Sequence, residues 1–90
     1  MQFEWDENKN KANLEKHGIE FCVAIEVFSD PLAIETTRFI NGEERMQIVG
    51  RVDNYIFSVV YTNRSSNIRI ISARLASRKE RRLYGQKTTT

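Results

Sequence analysis

Arg45-Met46-Gln47-Ile48-Val49-Gly50-Arg51-Val52-Asp53-Asn54-Tyr55-Ile56-Phe57-Ser58-Val59-Val60-Tyr61-Thr62-Asn63 decides the fold. Two runs of β-forming residues flank Asp53-Asn54, a pair suited to a tight reversal, so the stretch reads as an antiparallel hairpin. A two-residue turn pairs 52 with 55, 50 with 57, 48 with 59 and 46 with 61. Met46, Ile48, Val52, Tyr55, Phe57, Val59 and Tyr61 then share one apolar face, which is expected to pack against helices. Arg45, Gln47, Val49 and Arg51, with Ile56, Ser58, Val60 and Thr62, take the other.

Outward from this hairpin, Leu32–Thr37 and Ile68–Arg74 read as further strands, with reversals at Asn41-Gly42 and Arg64–Asn67. Upstream, Asp6 as N-cap and Gly18 as a left-handed C′ residue predict a helix over 7–17; Ala12, with the stems of Leu14 or Lys16, gives it a thin apolar stripe. Phe21, Ala24, Ile25 and Phe28 stand at i, i+3, i+4 and i+7, one face of a second helix that Ser29-Asp30-Pro31 ends. Downstream, Ser77-Arg78-Lys79-Glu80 has the form of a capping box and starts a last helix over about 78–85. The order predicts an α+β fold: two N-terminal helices, an antiparallel sheet of three to four strands, and a C-terminal helix. With no βαβ alternation and no glycine-rich phosphate loop, a dinucleotide-binding crevice is excluded. One domain is expected over residues 1–87, with a disordered tail at 88–90.

Composition narrows the function classes. The one cysteine, Cys22, cannot close an intramolecular disulfide and is expected at a buried apolar position. With a single histidine besides, there is no zinc-ligand set, so no metal and no cofactor are expected. No apolar run approaches the roughly 20 residues that span a bilayer, and the N-terminus lacks a signal-like pattern, so the protein is expected in the cytoplasm and off the membrane. The net charge of +2 is small, but its distribution is uneven. Arg64, Arg69, Arg74, Arg78, Lys79, Arg81, Arg82 and Lys87 face only Glu80 across the final third of the chain.

If Arg64–Asn67 closes a four-residue loop, 62 pairs with 69 and 60 with 71. Arg45, Thr62 and Arg69 then form a row across three strands. Like charges so placed destabilise a sheet by up to roughly 1 kcal/mol unless an anion compensates, which points to a phosphate site. The plainer alternative is that these arginines solvate an open sheet face or pair with Glu43 and Glu44. Arg64 sits in a turn with Asn63, Ser65, Ser66 and Asn67, whose donors suit phosphate oxygens or simply suit a turn. His17 has the ordinary pKa for acid–base work, yet beside Gly18 it equally serves a helix C-terminus.

Phe3-Glu4-Trp5-Asp6 with Lys9-Asn10 and Asn13-Leu14, Lys16-His17-Gly18-Ile19 with Phe21, and Asp30-Pro31 mark the first half. Gly42-Glu43-Glu44-Arg45, Val60-Tyr61-Thr62 with Arg64, Ile68 through Arg74 with Ala76, and Glu80-Arg81 with Tyr84 mark the second. In order and spacing this set resembles the BrnT toxins, the ribonuclease halves of bacterial type II toxin–antitoxin pairs. The resemblance implies a RelE-like fold, an RNA substrate and a BrnA-like antitoxin that carries operator-DNA binding, assembled as toxin and antitoxin dimers.

A metal-free endoribonuclease can use the RNA's own 2′-OH as nucleophile against the adjacent phosphate, and this is the activity expected here. On that footing Arg45, Arg64 and Arg69 are the expected phosphate clamps and His17 or Glu44 the proton carrier. Arg74, Arg81 and Tyr84 are expected nearby as RNA-binding groups. The rival readings are a non-catalytic nucleic-acid-binding regulator and a protein-interaction module.

Overall fold

The structure, a computed structural model, describes residues 2–88. In chain order it runs β1 (Gln2–Glu4), α1 (Glu7–His17), α2 (Phe21–Ala24) continuing as a 3₁₀ helix over Ile25–Ser29, β2 (Ile34–Ile40), β3 (Glu43–Val52), β4 (Tyr55–Arg64), β5 (Asn67–Leu75) and α3 (Arg78–Thr88). One five-stranded sheet has the order β1-β5-β4-β3-β2. The α+β class stands, with a strand more than expected, and the sheet is mixed because β1 runs parallel to β5. Three residues are too few to show a period-two pattern, which is why β1 is silent in the sequence.

The β3–β4 register is the expected one, from Val52 opposite Tyr55 to Met46 opposite Tyr61. Between β4 and β5 Thr62 pairs with Arg69 as expected, but Val60 pairs with Ser72, not with 71. A bulge beside Val60 and Tyr61 takes up the extra residue, an irregularity that loop counting cannot see. The turn itself is tighter than expected: Arg64 and Asn67 are paired, leaving Ser65, at φ 56°, and Ser66 to reverse the chain. β2 begins at Ile34, later than expected, because Asp30 Oδ1 accepts from the Leu32 N–H and keeps Pro31-Leu32 in a turn.

Both helical layers differ instructively from the amphipathic expectation. α1 docks without an apolar stripe: Ala12 and Leu14 are exposed, and the buried residue is Asn13. Its amide donates to the carbonyls of Ile19 (2.9 Å) and Ala73 (2.8 Å) and accepts from the Ala73 N–H (3.0 Å). Asn13 thereby serves β5 as a neighbouring strand would, beyond the end of β1. After α2 the tighter 3₁₀ winding brings in residues three apart, so Phe21, Ala24 and Val27 are fully buried while Ile25 and Phe28 are only partly so. Cys22, expected inside, is exposed, its Sγ donating to Glu20.

Those helices cover one sheet face, where Ile48, Val52, Phe57, Val59, Tyr61, Ile68, Ile70 and Ala73 form the main core. Tyr55 was expected among them but is largely exposed. The opposite face is not wholly open. α3 lies over one end of it, where Val49, Ala76 and Tyr84 make a second small core with Ile34 and Ile56. α3 extends to Thr88, past the expected stop near 85; of the expected tail, residues 89–90 lie outside the described residues.

Candidate functional site

Paired residues share a sheet face, so the registers place one line of side chains across all five strands on the face that α3 partly covers. Glu4 pairs with Arg69, Arg69 with Thr62, and Arg38 with Arg45. Arg45 lies one residue beyond the Met46–Tyr61 pair and so on the face of Thr62. Four strand spacings of about 4.8 Å make this row roughly 19 Å long. Arg64 ends β4 on the same side, two residues past Thr62.

The row is cationic but not uniformly paired. Arg69 donates to Glu4 Oε2 at 2.8 Å and Asn67 donates to Glu4 Oε1 at 3.1 Å. The Arg69 and Asn67 hydrogen bonds, with the charges of Arg69 and Arg64, hold the Glu4 carboxyl below its usual range. Arg45 meets Glu43 at 3.1 Å, while its Nε is buried without a hydrogen-bond partner. The Arg45 side chain as a whole is about one-quarter exposed, so its guanidinium reaches the open face through its terminal nitrogens.

Beside the row, Gln47 ties the sheet to α3. Its buried amide accepts from Arg38 (3.0 Å) and donates to Ser58 (2.6 Å) and Glu80 (2.7 Å). Glu80 also accepts both Arg74 nitrogens, at 2.8 and 3.0 Å, and the Ser77 N–H at 2.8 Å, completing the capping box. Chiefly the Arg74 hydrogen bond lowers its carboxyl to about 2. A cavity of about 320 Å³ next to this network is lined by Thr36, Arg38, Gln47, Lys79 and Glu80 among others.

The expected site residues therefore divide. Arg45, Arg64 and Arg69 come together on one face. Glu44 alternates to the opposite face, with Met46, and is exposed. His17 is not at the row: it lines surface pockets with Tyr55, Phe57 and Leu75, and with Ile71 and Ser72. Tyr55 and Leu75 close the far ends of their strands from Arg64 and Asn67.

Arg74 is committed to Glu80, and Arg81 donates to the Ala76 carbonyl. Tyr84 is buried with its hydroxyl on Asp30, so it offers no ring to a ligand. Burial raises the Tyr84 hydroxyl pKa, and Asp30 adds to the rise. Sequence reading missed Glu4, Arg38 and Gln47. Glu4 stands on a strand too short to show a period, Arg38 needed the β2–β3 register, and Gln47, on the Arg45 face by hairpin counting, gives no sign in the sequence of its tie to Glu80. Among the described residues no three His, Cys, Asp or Glu side chains gather as metal ligands, and no helix is long and apolar enough to cross a membrane.

A family model described as the ribonuclease toxin BrnT of a type II toxin–antitoxin system matches residues 5–80. The chain belongs to the BrnT family. BrnT membership makes it a ribonuclease toxin by family and implies an antitoxin partner. No match is found among curated proteins. The BrnT span takes in Arg38, Arg45, Arg64 and Arg69 and ends at Glu80, leaving Glu4 just outside.

Proposed function

We propose that this BrnT chain is a metal-independent endoribonuclease whose site is the open end of the sheet face, with Arg45, Arg64 and Arg69 clamping the scissile phosphate and its neighbours. The placing of Arg45, Arg64 and Arg69 on one sheet face by the strand registers carries the reading. An RNA 2′-OH is already positioned beside its own phosphate, so the protein's main task is to stabilise the extra charge of the phosphorane-like transition state. Fixed guanidinium groups do that in a bidentate geometry that lysine would not supply. The RNA-binding surface continues onto the exposed Lys79 and Arg82 side of α3, while Arg74 acts from within the Glu80 network. A BrnA-like antitoxin neutralises the toxin by covering these arginines, carries operator-DNA binding itself, and assembles with it as paired dimers.

Purified protein freed of antitoxin is incubated with RNA in excess EDTA, beside folded Arg64→Ala and Arg69→Ala variants. Cleavage that persists in EDTA and falls about 10²–10³-fold in the variants is the expected result, a loss comparable to removing one oxyanion donor. Full cleavage by both variants, or cleavage abolished by EDTA, defeats the proposal.

A further inference from the structure

The arginine row lacks a histidine, and Glu44 points away, yet it has a carboxylate of its own. Glu4 reaches the row from β1, held by Arg69 at 2.8 Å through one oxygen and by Asn67 at 3.1 Å through the other. Each oxygen keeps a lone pair for another donor, and the side chain is one-third exposed, open to a ligand lying along the row. We propose that Glu4 is the proton acceptor for the attacking 2′-OH, an inference that rests on the ribonuclease reading above. In the step, the 2′-oxygen gives its proton to Glu4 and forms a bond to phosphorus while the bond from phosphorus to the 5′-oxygen breaks. The products are a 2′,3′-cyclic phosphate and a 5′-hydroxyl. The departing 5′-oxygen takes a proton from solvent, and Glu4 returns its own to solvent.

The groups facing Glu4 explain how a carboxylate can do this. Arg69 and Asn67 from β5 and Arg64 from β4 keep it ionised, and so ready to accept, but also weaken it as a base. A bound phosphate shares Arg69 and Arg64 and offsets their charge. The carboxylate's proton affinity then rises when substrate is present, which confines strong basicity to the occupied site.

The test uses wild type, Glu4→Gln, Glu4→Asp and Arg69→Ala with an RNA oligonucleotide in EDTA. Binding is measured on the same oligonucleotide carrying a 2′-deoxy residue at the cleavage point. Glu4→Gln is expected to cleave about 10²–10³-fold more slowly, with residual rate climbing as hydroxide increases where the wild-type rate is flat. It should bind the uncleavable oligonucleotide at least as tightly, because a negative charge has left the phosphate's surroundings. Arg69→Ala should lose binding instead. Glu4→Asp, with the carboxylate withdrawn by one methylene, should fall between wild type and Glu4→Gln. It carries the same comparison of rate against binding if Glu4→Gln fails to fold.

Wild-type cleavage matched by Glu4→Gln overturns the inference while leaving the ribonuclease reading intact. So does a loss of cleavage fully accounted for by lost binding, which would make Glu4 only a support for Arg69. RNA left intact by wild type overturns the ribonuclease reading, and this inference with it.

Discussion

Replacing Glu80 with glutamine should expose how α3 is fastened over the sheet. The carboxylate accepts hydrogen bonds from Arg74, Gln47 and the Ser77 N–H, and its pKa falls from 4.5 to about 2, mainly through Arg74. A folded-state pKa depressed in this way contributes stability that is full above the unfolded value and disappears as pH falls through the folded one. Without screening, the shift corresponds to roughly 3 kcal/mol. The Arg74 side chain is 41% exposed, so solvent reduces the contribution, and about 2 kcal/mol is the expected loss at neutral pH. Urea unfolding of wild type and Glu80→Gln at steps from neutral pH to about pH 2 measures it directly. The difference between the two curves should hold steady above about pH 4.5 and close towards pH 2. A difference below about 0.5 kcal/mol at neutral pH, or one that does not change with pH, refutes the argument.

Asn13→Ala leaves the Ile19 carbonyl and both Ala73 backbone groups without their partner, and should cost about 3 kcal/mol in the same unfolding assay. Tyr84→Phe removes the hydroxyl from Asp30 and should cost about 1–2 kcal/mol; hydrogen exchange in α3 should quicken, with little change in α1. For single-stranded RNA, Arg69→Ala should flatten the plot of log binding constant against log salt by about 0.7, the contribution of one phosphate contact. An unchanged slope would show that Arg69 meets no phosphate.

Much of this architecture is readable from local chemistry. Asp53-Asn54 fixes one register, and with it the faces of both central strands. Asp6 caps α1 by accepting from the Asn8 and Lys9 N–H groups, and Gly18, at φ 72°, ends it. Elements held by single polar contacts are harder to see. No apolar period announces α1, because Asn13 docks it through the backbone of β5, and β1 is too short to alternate. The same limit governs the site. Arg45 and Arg69 share a face by counting along hairpins, but Arg38 depends on the edge register, and Glu4 depends on a parallel pairing 65 residues away in sequence. Tyr84 and Arg74 are residue types suited to RNA whose partners in the fold, Asp30 and Glu80, could not be read from the sequence.

The division of the sheet face by α3 links these observations. At one end Val49, Ile34 and Ile56 meet Ala76 and Tyr84, and Asp30 closes the contact by accepting from Tyr84 and from the Arg51 N–H. Gly50 permits this approach, since a Cβ there would stand 3.1 Å from the Ala33 Cβ and 3.4 Å from Asp30 Oδ2. In the middle, Glu80 neutralises Arg74 and, through Gln47, steadies Arg38. Beyond that point the helix no longer covers the sheet, and Arg45, Arg64 and Arg69 stand with Glu4 and Glu43 as their nearby acids. Three arginines thus stand where backbone pairing fixes the spacing of their positions on the sheet. On the reading proposed above, guanidinium groups already set on one sheet face need less rearrangement when a phosphate arrives, the condition under which electrostatic stabilisation is most effective.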